Sequence, residues 1–143
     1  MKFAINILFV IGLVGCSTGY HPLNLNGGYT SMQYQPNSFS VEFEGNDSTS
    51  KKKTFDMAML HASNLTIKNG FSYFEVVKSN TYEGEGENSV FAESFIYGLN
   101  GQSIAVNVPI TKLLIRCSND EVLDFKTFNA QLVKTKLVEA YGL

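Results

Sequence analysis

The chain of 143 residues has no tryptophan, three prolines, two histidines and two cysteines. Each scarcity closes off a chemistry. A tight metal site needs three or four converging ligands, and neither His21 nor His61 has a partner at helical or Cys-x-x-Cys spacing. No metal is therefore expected, and His61 reads as a boundary histidine beside an apolar helix face. Serine is plentiful, but none stands in a Gly-x-Ser-x-Gly elbow or beside a plausible base. Neither a catalytic constellation nor a cofactor is expected. Eleven basic residues against thirteen acidic ones give a net charge of −2 without a basic stripe, so the electrostatic footprint of a nucleic-acid binder is missing. No internal repeat is visible. The one long apolar run, Phe3 to Val14, falls short of the roughly 20 residues that span a bilayer.

That run has other features. Lys2 precedes it, and small residues close it in Leu13-Val14-Gly15-Cys16, the pattern of a secretory signal. A cysteine at this point resembles the lipobox of bacterial lipoproteins. The resemblance implies that residues 1–15 are removed and that Cys16 carries a diacylglycerol on sulfur and an acyl chain on its new amine. Ser17 stands where an inner-membrane-retained lipoprotein typically has Asp, so the resemblance further implies the outer membrane, facing the periplasm. The competing reading is an ordinary cleaved signal, with Cys16 free to pair with Cys117. Lipidation leaves Cys117 as a lone thiol. Removing the first 15 residues leaves 128, enough for one core, and loss of Lys2 leaves ten basic residues against thirteen acidic, a net of −3.

Residues 16–28 are polar, include Pro22 and show no periodicity; they read as a flexible tether ahead of a single domain over 29–143. Tyr29 to Tyr34 reads as a short strand. Gln35-Pro36-Asn37-Ser38 has turn chemistry, and Phe39, Val41 and Phe43 alternate with polar residues in a half-buried strand. Ser50 is the expected cap of a helix over Lys51–Lys68, with Phe55, Ala58, Met59, Ala62, Leu65 and Thr66 on its apolar face and Asn69-Gly70 ending it. Phe71 to Val77 is an aromatic, β-branched strand. Residues 79–88, acidic and twice broken by glycine, read as a mobile loop. Val90 to Tyr97 and Ser103 to Val108 read as strands around the Asn100-Gly101 turn, Pro109 as an edge or bulge, and Lys112 to Cys117 as a buried strand. A last helix carries Ala130, Val133, Leu137, Ala140 and Tyr141, capped by Thr127 or Asn129. The sum is an α+β domain: a mixed sheet of five to six strands, two helices on one face, and a right-handed strand-helix-strand crossover joining two parallel strands.

The pieces Gly27 to Thr30, Phe39 to Asn46, Thr49-Ser50, Leu60 to Val77, Leu113 to Cys117 and the closing Tyr-Gly-Leu together resemble a family of small proteobacterial lipoproteins. That likeness covers most of the mature chain. It implies the same architecture and membrane address, and it carries over no catalytic residue. The chain departs from it at Asp47-Ser48 and in the acidic stretch.

Two local features remain as candidate sites. Ser50, Lys51, Lys52 and Lys53 set cations at a helix start, against the macrodipole, where free N–H groups and lysines could attract a phosphate or carboxylate. Cys117 ends an apolar strand beside Arg116, which could lower its pKa and make it a reactive thiol; the competing reading is a small buried hydrophobe. Glu83, Glu85 and Glu87 lack the ligand pattern of a calcium loop and read as solvated charge. The sequence points to a non-catalytic lipid-anchored envelope protein with a possible envelope protein partner. The alternative is a binding module for a small or anionic envelope ligand at residues 45–53. A cleft gathering Glu42, Glu44, His61 or Arg116 would favour an enzyme or a ligand site instead.

Overall fold

The computed structural model describes residues 17–85, 107–121 and 126–143. Its elements run β1 (Gly28–Gln35), β2 (Ser38–Glu44), α1 (Lys51–Lys68), β3 (Tyr73–Glu85), β4 (Asn107–Ser118), β5 (Thr127–Asn129) and α2 (Ala130–Tyr141). The five strands form one sheet in the order β1-β2-β4-β3-β5, with every pair of neighbours antiparallel.

Local chemistry sets the first half. Pro36 fills the second position of the β1–β2 turn, where its fixed φ suits the bend. β2 then alternates as its sequence does: Phe39, Val41 and Phe43 are buried and Ser38, Ser40 and Glu42 are half-buried. α1 begins and ends on its expected residues. Ser50 accepts a hydrogen bond from the Lys53 amide. At the other end Gly70 takes φ +82°, letting the Phe71 amide reach Thr66 O and its own amide reach Ile67 O, each at 3.0 Å.

β2, α1 and β3 form the expected strand-helix-strand unit, with a difference. β2 and β3 are each antiparallel to β4 and therefore parallel to each other, but β4 lies between them. A strand arriving later in the chain has been inserted, so no ladder between neighbouring strands is parallel. β4 also runs from Asn107 and Val108, the end of one expected strand, through Pro109 into the other; residues 103–106 lie outside the described residues. The proline is tolerated because β2 ends there. N and O of one residue point to the same side of an antiparallel strand. On that side Pro109 O accepts from the Gly45 amide at 2.8 Å, just past the last β2 pair, so the missing N–H faces no continuing strand.

The acidic stretch is also corrected. Ser79 to Glu85 is the second half of β3, paired with β4 from Ser79↔Leu113 to Glu85↔Asn107. Glu and Gly disfavour strands by propensity, but cross-strand pairing overrides it: the Thr81 and Thr111 hydroxyls bond at 2.9 Å, and Tyr82 stands opposite Ile110. The strand expected at Val90 to Tyr97 and the Asn100-Gly101 turn lie outside the described residues.

Both helices pack on the face that carries Phe39, Val41, Phe43, Phe74, Leu113 and Ile115. Burial of each such side chain contributes about 1.5–3 kcal/mol. α1 presents Met57, Ala58, Leu60 and Ala62 to this core rather than Phe55, which is 36% exposed. The face is rotated and widened because α1 meets the sheet on one side, α2 on another and the segment before β1 on a third. α2 is capped by Asn129, whose side chain accepts from the Leu132 amide at 2.9 Å; Val133, Leu137, Val138 and Tyr141 pack on the core, whereas Ala140 is exposed.

Candidate functional site

The segment expected to be a loose tether is sewn to the domain from Ser17 onward. Thr18 is only 2% exposed. Its amide donates to Thr49 Oγ1 at 2.9 Å and its hydroxyl to Asn26 O at 2.7 Å. The acceptor is held in place by the turn ahead of α1, where the Thr49 hydroxyl donates to Asn46 Oδ1 at 2.8 Å and the Asn46 amide donates back to Thr49 Oγ1 at 3.1 Å. Further along, Asn24 and Gly27 exchange two 3.0 Å backbone bonds, and the amides of Leu23 and Tyr29 bond to Tyr29 O and His21 O. Gly27 at φ +90° makes this reversal possible.

His61 is the rivet of this contact. It is 7% exposed, well inside the boundary position expected of it, and stacks on Tyr29 with ring centroids 4.0 Å apart. Asn64 Nδ2 donates to the Tyr20 hydroxyl at 2.7 Å, and that hydroxyl lies 3.0 Å from His61 Nδ1. The arrangement fits the tautomer in which Tyr20 donates to Nδ1 and Nε2–H donates to Ser31 Oγ, 3.1 Å away. The imidazole is thus satisfied as a neutral ring. Burial, reinforced by the charge of Lys68, lowers its pKa from 6.5 to about 4.

A lowered histidine pKa means that the unfolded chain binds the extra proton more readily. The stabilisation is therefore complete above pH 6.5 and is lost as pH falls towards 4, amounting to about 3 kcal/mol for a shift of this size. Urea unfolding at pH 7 and pH 4.5 should show that loss, and the His61→Gln protein should show a much flatter pH dependence. Equal slopes for the two proteins would remove His61 from the explanation.

The three lysines do not converge. Lys51 Nζ pairs with Glu83 at 3.3 Å, Lys52 pairs with Asp56 one turn on, and Lys53 Nζ donates to Ser17 Oγ at 2.6 Å while lying 5.9 Å from the centre of the Tyr141 ring. The Ser50 hydroxyl already occupies the Lys53 amide. The structure thus spreads Lys51, Lys52 and Lys53 over separate partners instead of gathering them with Ser50 around one anion.

Cys117 is fully buried in the core, with Sγ 3.4 Å from the Thr66 hydroxyl. Burial raises its thiol pKa, outweighing the Thr66 contact, and Arg116 points to the opposite face, where it pairs with Glu75 at 3.6 Å. The features that make a thiol reactive, exposure and a neighbouring cation, are not at this position. The acidic and basic residues that could have marked an enzyme are likewise separated. Glu42 pairs with Lys112 on the outer sheet face at 3.1 Å, Glu44 is buried at the end of β2, and His61 lies on the helix side. No group of three or more metal-ligating side chains occurs among the described residues.

The outer face of the sheet, which neither helix covers, has a groove of about 570 Å³ at the part of β4 that carries Lys112, Leu114 and Arg116, whereas Val108 and Ile110 farther along the same face are buried. Tyr34, Ser40, Val77, Lys112, Leu114 and Arg116 are among the residues lining it. Met32 and Tyr34 on the neighbouring edge strand β1 are each 58% exposed, and β1 carries no charged residue and no proline. Of the usual devices that stop another chain from adding to an edge, charge and proline are missing here, while residues 21–23 cover only the start of β1 at Tyr29 and its register shifts between Gln33 and Gln35. Among the described residues no helix is long and apolar enough to cross a membrane. Comparison of the chain with family models, curated proteins and solved structures finds no match.

Proposed function

We propose that the protein is a lipid-anchored cell-envelope lipoprotein whose domain acts as a non-catalytic interaction module at the outer membrane, on the periplasmic side. The observation that carries this reading is the run Leu13-Val14-Gly15-Cys16, followed at the next residue by the start of the fold. Its resemblance to small proteobacterial lipoproteins supports the same address. The chemistry of the domain supports interaction: both helices sit on one side, and the other presents aromatic, aliphatic and cationic side chains to solvent. The partner that fits is another envelope protein. The scattering of the lysines weighs against the alternative, an anion-binding module at residues 45–53.

Photocrosslinkers placed at Ser40 and Leu114 on the sheet face, and at Thr135 on the exposed side of α2, test the interaction in intact cells. Discrete adducts from the two sheet positions and none from Thr135 are expected. The same adduct pattern from all three positions, or none from the sheet, would contradict it.

A further inference from the structure

We infer that the domain stands end-on against the bilayer, with the turn at residues 46–50 and the first turn of α1 facing the lipid headgroups. This rests on the lipid-anchor reading of Cys16. Cys16 precedes Ser17 directly, and consecutive Cα atoms are about 3.8 Å apart. Ser17 is itself fixed, its hydroxyl accepting from Lys53 Nζ at 2.6 Å, and Thr18 is buried against Thr49. No free residue is left as a spacer between Cys16 and the folded structure, which begins at Ser17. The acyl chains must enter the membrane within a side chain's reach of the α1 N-terminus.

The body of the domain extends away from that point. β2 ends and α1 begins there, and α2 returns to it, its Tyr141 hydroxyl donating to Asp56. The opposite end of α1, at Asn69-Gly70, lies about 27 Å away for an 18-residue helix. Lys51 and Lys52 are exposed at the near end; the Lys51–Glu83 pair, exposed on both sides, is weak enough to exchange for a headgroup phosphate, whereas Lys52 is held by the largely buried Asp56. The strands then run roughly along the membrane normal, so the groove on the outer sheet face looks sideways into the aqueous compartment, where a protein partner can reach it.

The test uses the mature lipidated protein in vesicles of phosphatidylethanolamine and phosphatidylglycerol containing a headgroup-spin-labelled lipid, a short-range quencher. A fluorophore is attached through Ser48→Cys or, in a second protein, Asn69→Cys; both positions are exposed, and buried Cys117 stays unlabelled in the native state. Quenching several-fold stronger at Ser48 than at Asn69 is expected. Inserting ten Gly/Ser residues between Cys16 and Ser17, a linker with a reach of about 18 Å, should bring the two values together. Equal quenching at both positions without the insert overturns the end-on orientation while leaving the anchor intact. Failure of the protein to bind vesicles overturns the anchor reading, and the orientation falls with it.

Discussion

If Cys16 is the proposed lipid anchor, exchanging residues 1–15 for a conventionally cleaved signal and introducing Cys16→Ser should move the protein from the membrane to the soluble envelope fraction. The size of this effect follows from the acyl chains. Each buried CH₂ contributes about 0.8 kcal/mol; one chain alone binds marginally, whereas the three proposed for Cys16 would anchor the protein stably. Nothing described in the domain replaces them, since no described helix can span a bilayer and the chain is mildly acidic, with a net charge of −2. The partition should therefore change from nearly complete retention to nearly complete release. The fold should be unaffected, because the described contacts of the N-terminal segment, from Ser17 and Thr18 onward, are all kept. A released protein with an unchanged urea midpoint is the expected pair of results. Retention in the membrane fraction would show that protein contacts, rather than lipid, hold it there.

The second large effect is expected from Gly27→Ala. A Cβ at Gly27 would lie 2.3 Å from Glu44 O and 3.1 Å from Gly45 O. Those atoms are backbone and have little room to move: Gly28 is paired with Glu44, and the Gly45 amide is bonded to Pro109 O. An L-residue at positive φ adds about 1–3 kcal/mol of strain, and overpacking typically adds about 1–3 kcal/mol more. Since each 1.4 kcal/mol is tenfold in an equilibrium, the docked segment should open at least tenfold more often. Limited proteolysis within residues 17–26 reads this directly. Gly19→Ala is the matched control, because its Cβ would meet nothing closer than His21 Cδ2 at 3.7 Å. If both substitutions leave proteolysis unchanged, the segment is the loose tether that its composition suggests.

That contrast shows where the sequence was legible. α1 could be read to the residue because its signals are local: a serine cap, an apolar periodicity and a glycine after the last turn. β2 could be read because alternation needs no knowledge of its neighbours. The docking of residues 17–28 could not, since Thr18 and Tyr20 depend on Thr49, His61 and Asn64, some 30 to 45 residues away. One local signal was present: Asn26-Gly27 directly before a strand is itself a turn dipeptide. The insertion of β4 between β2 and β3 is likewise non-local, which is why the parallel strands were legible and their separation was not. The extension of β3 through Glu83 and Glu85 ran against propensity and was won by pairing. For the candidate site, Lys51, Lys52 and Lys53 stood out by charge alone. Only the structure shows that they point to different partners, and that Lys53 reaches Ser17.

The most direct measurement is the intact mass of the protein extracted from the membrane fraction. A chain beginning at Cys16, heavier than its sequence by one diacylglycerol and one further acyl chain, is the expected result. A chain that begins elsewhere, or that begins at an unmodified Cys16, would contradict the lipid anchor on which the proposed function and orientation both stand.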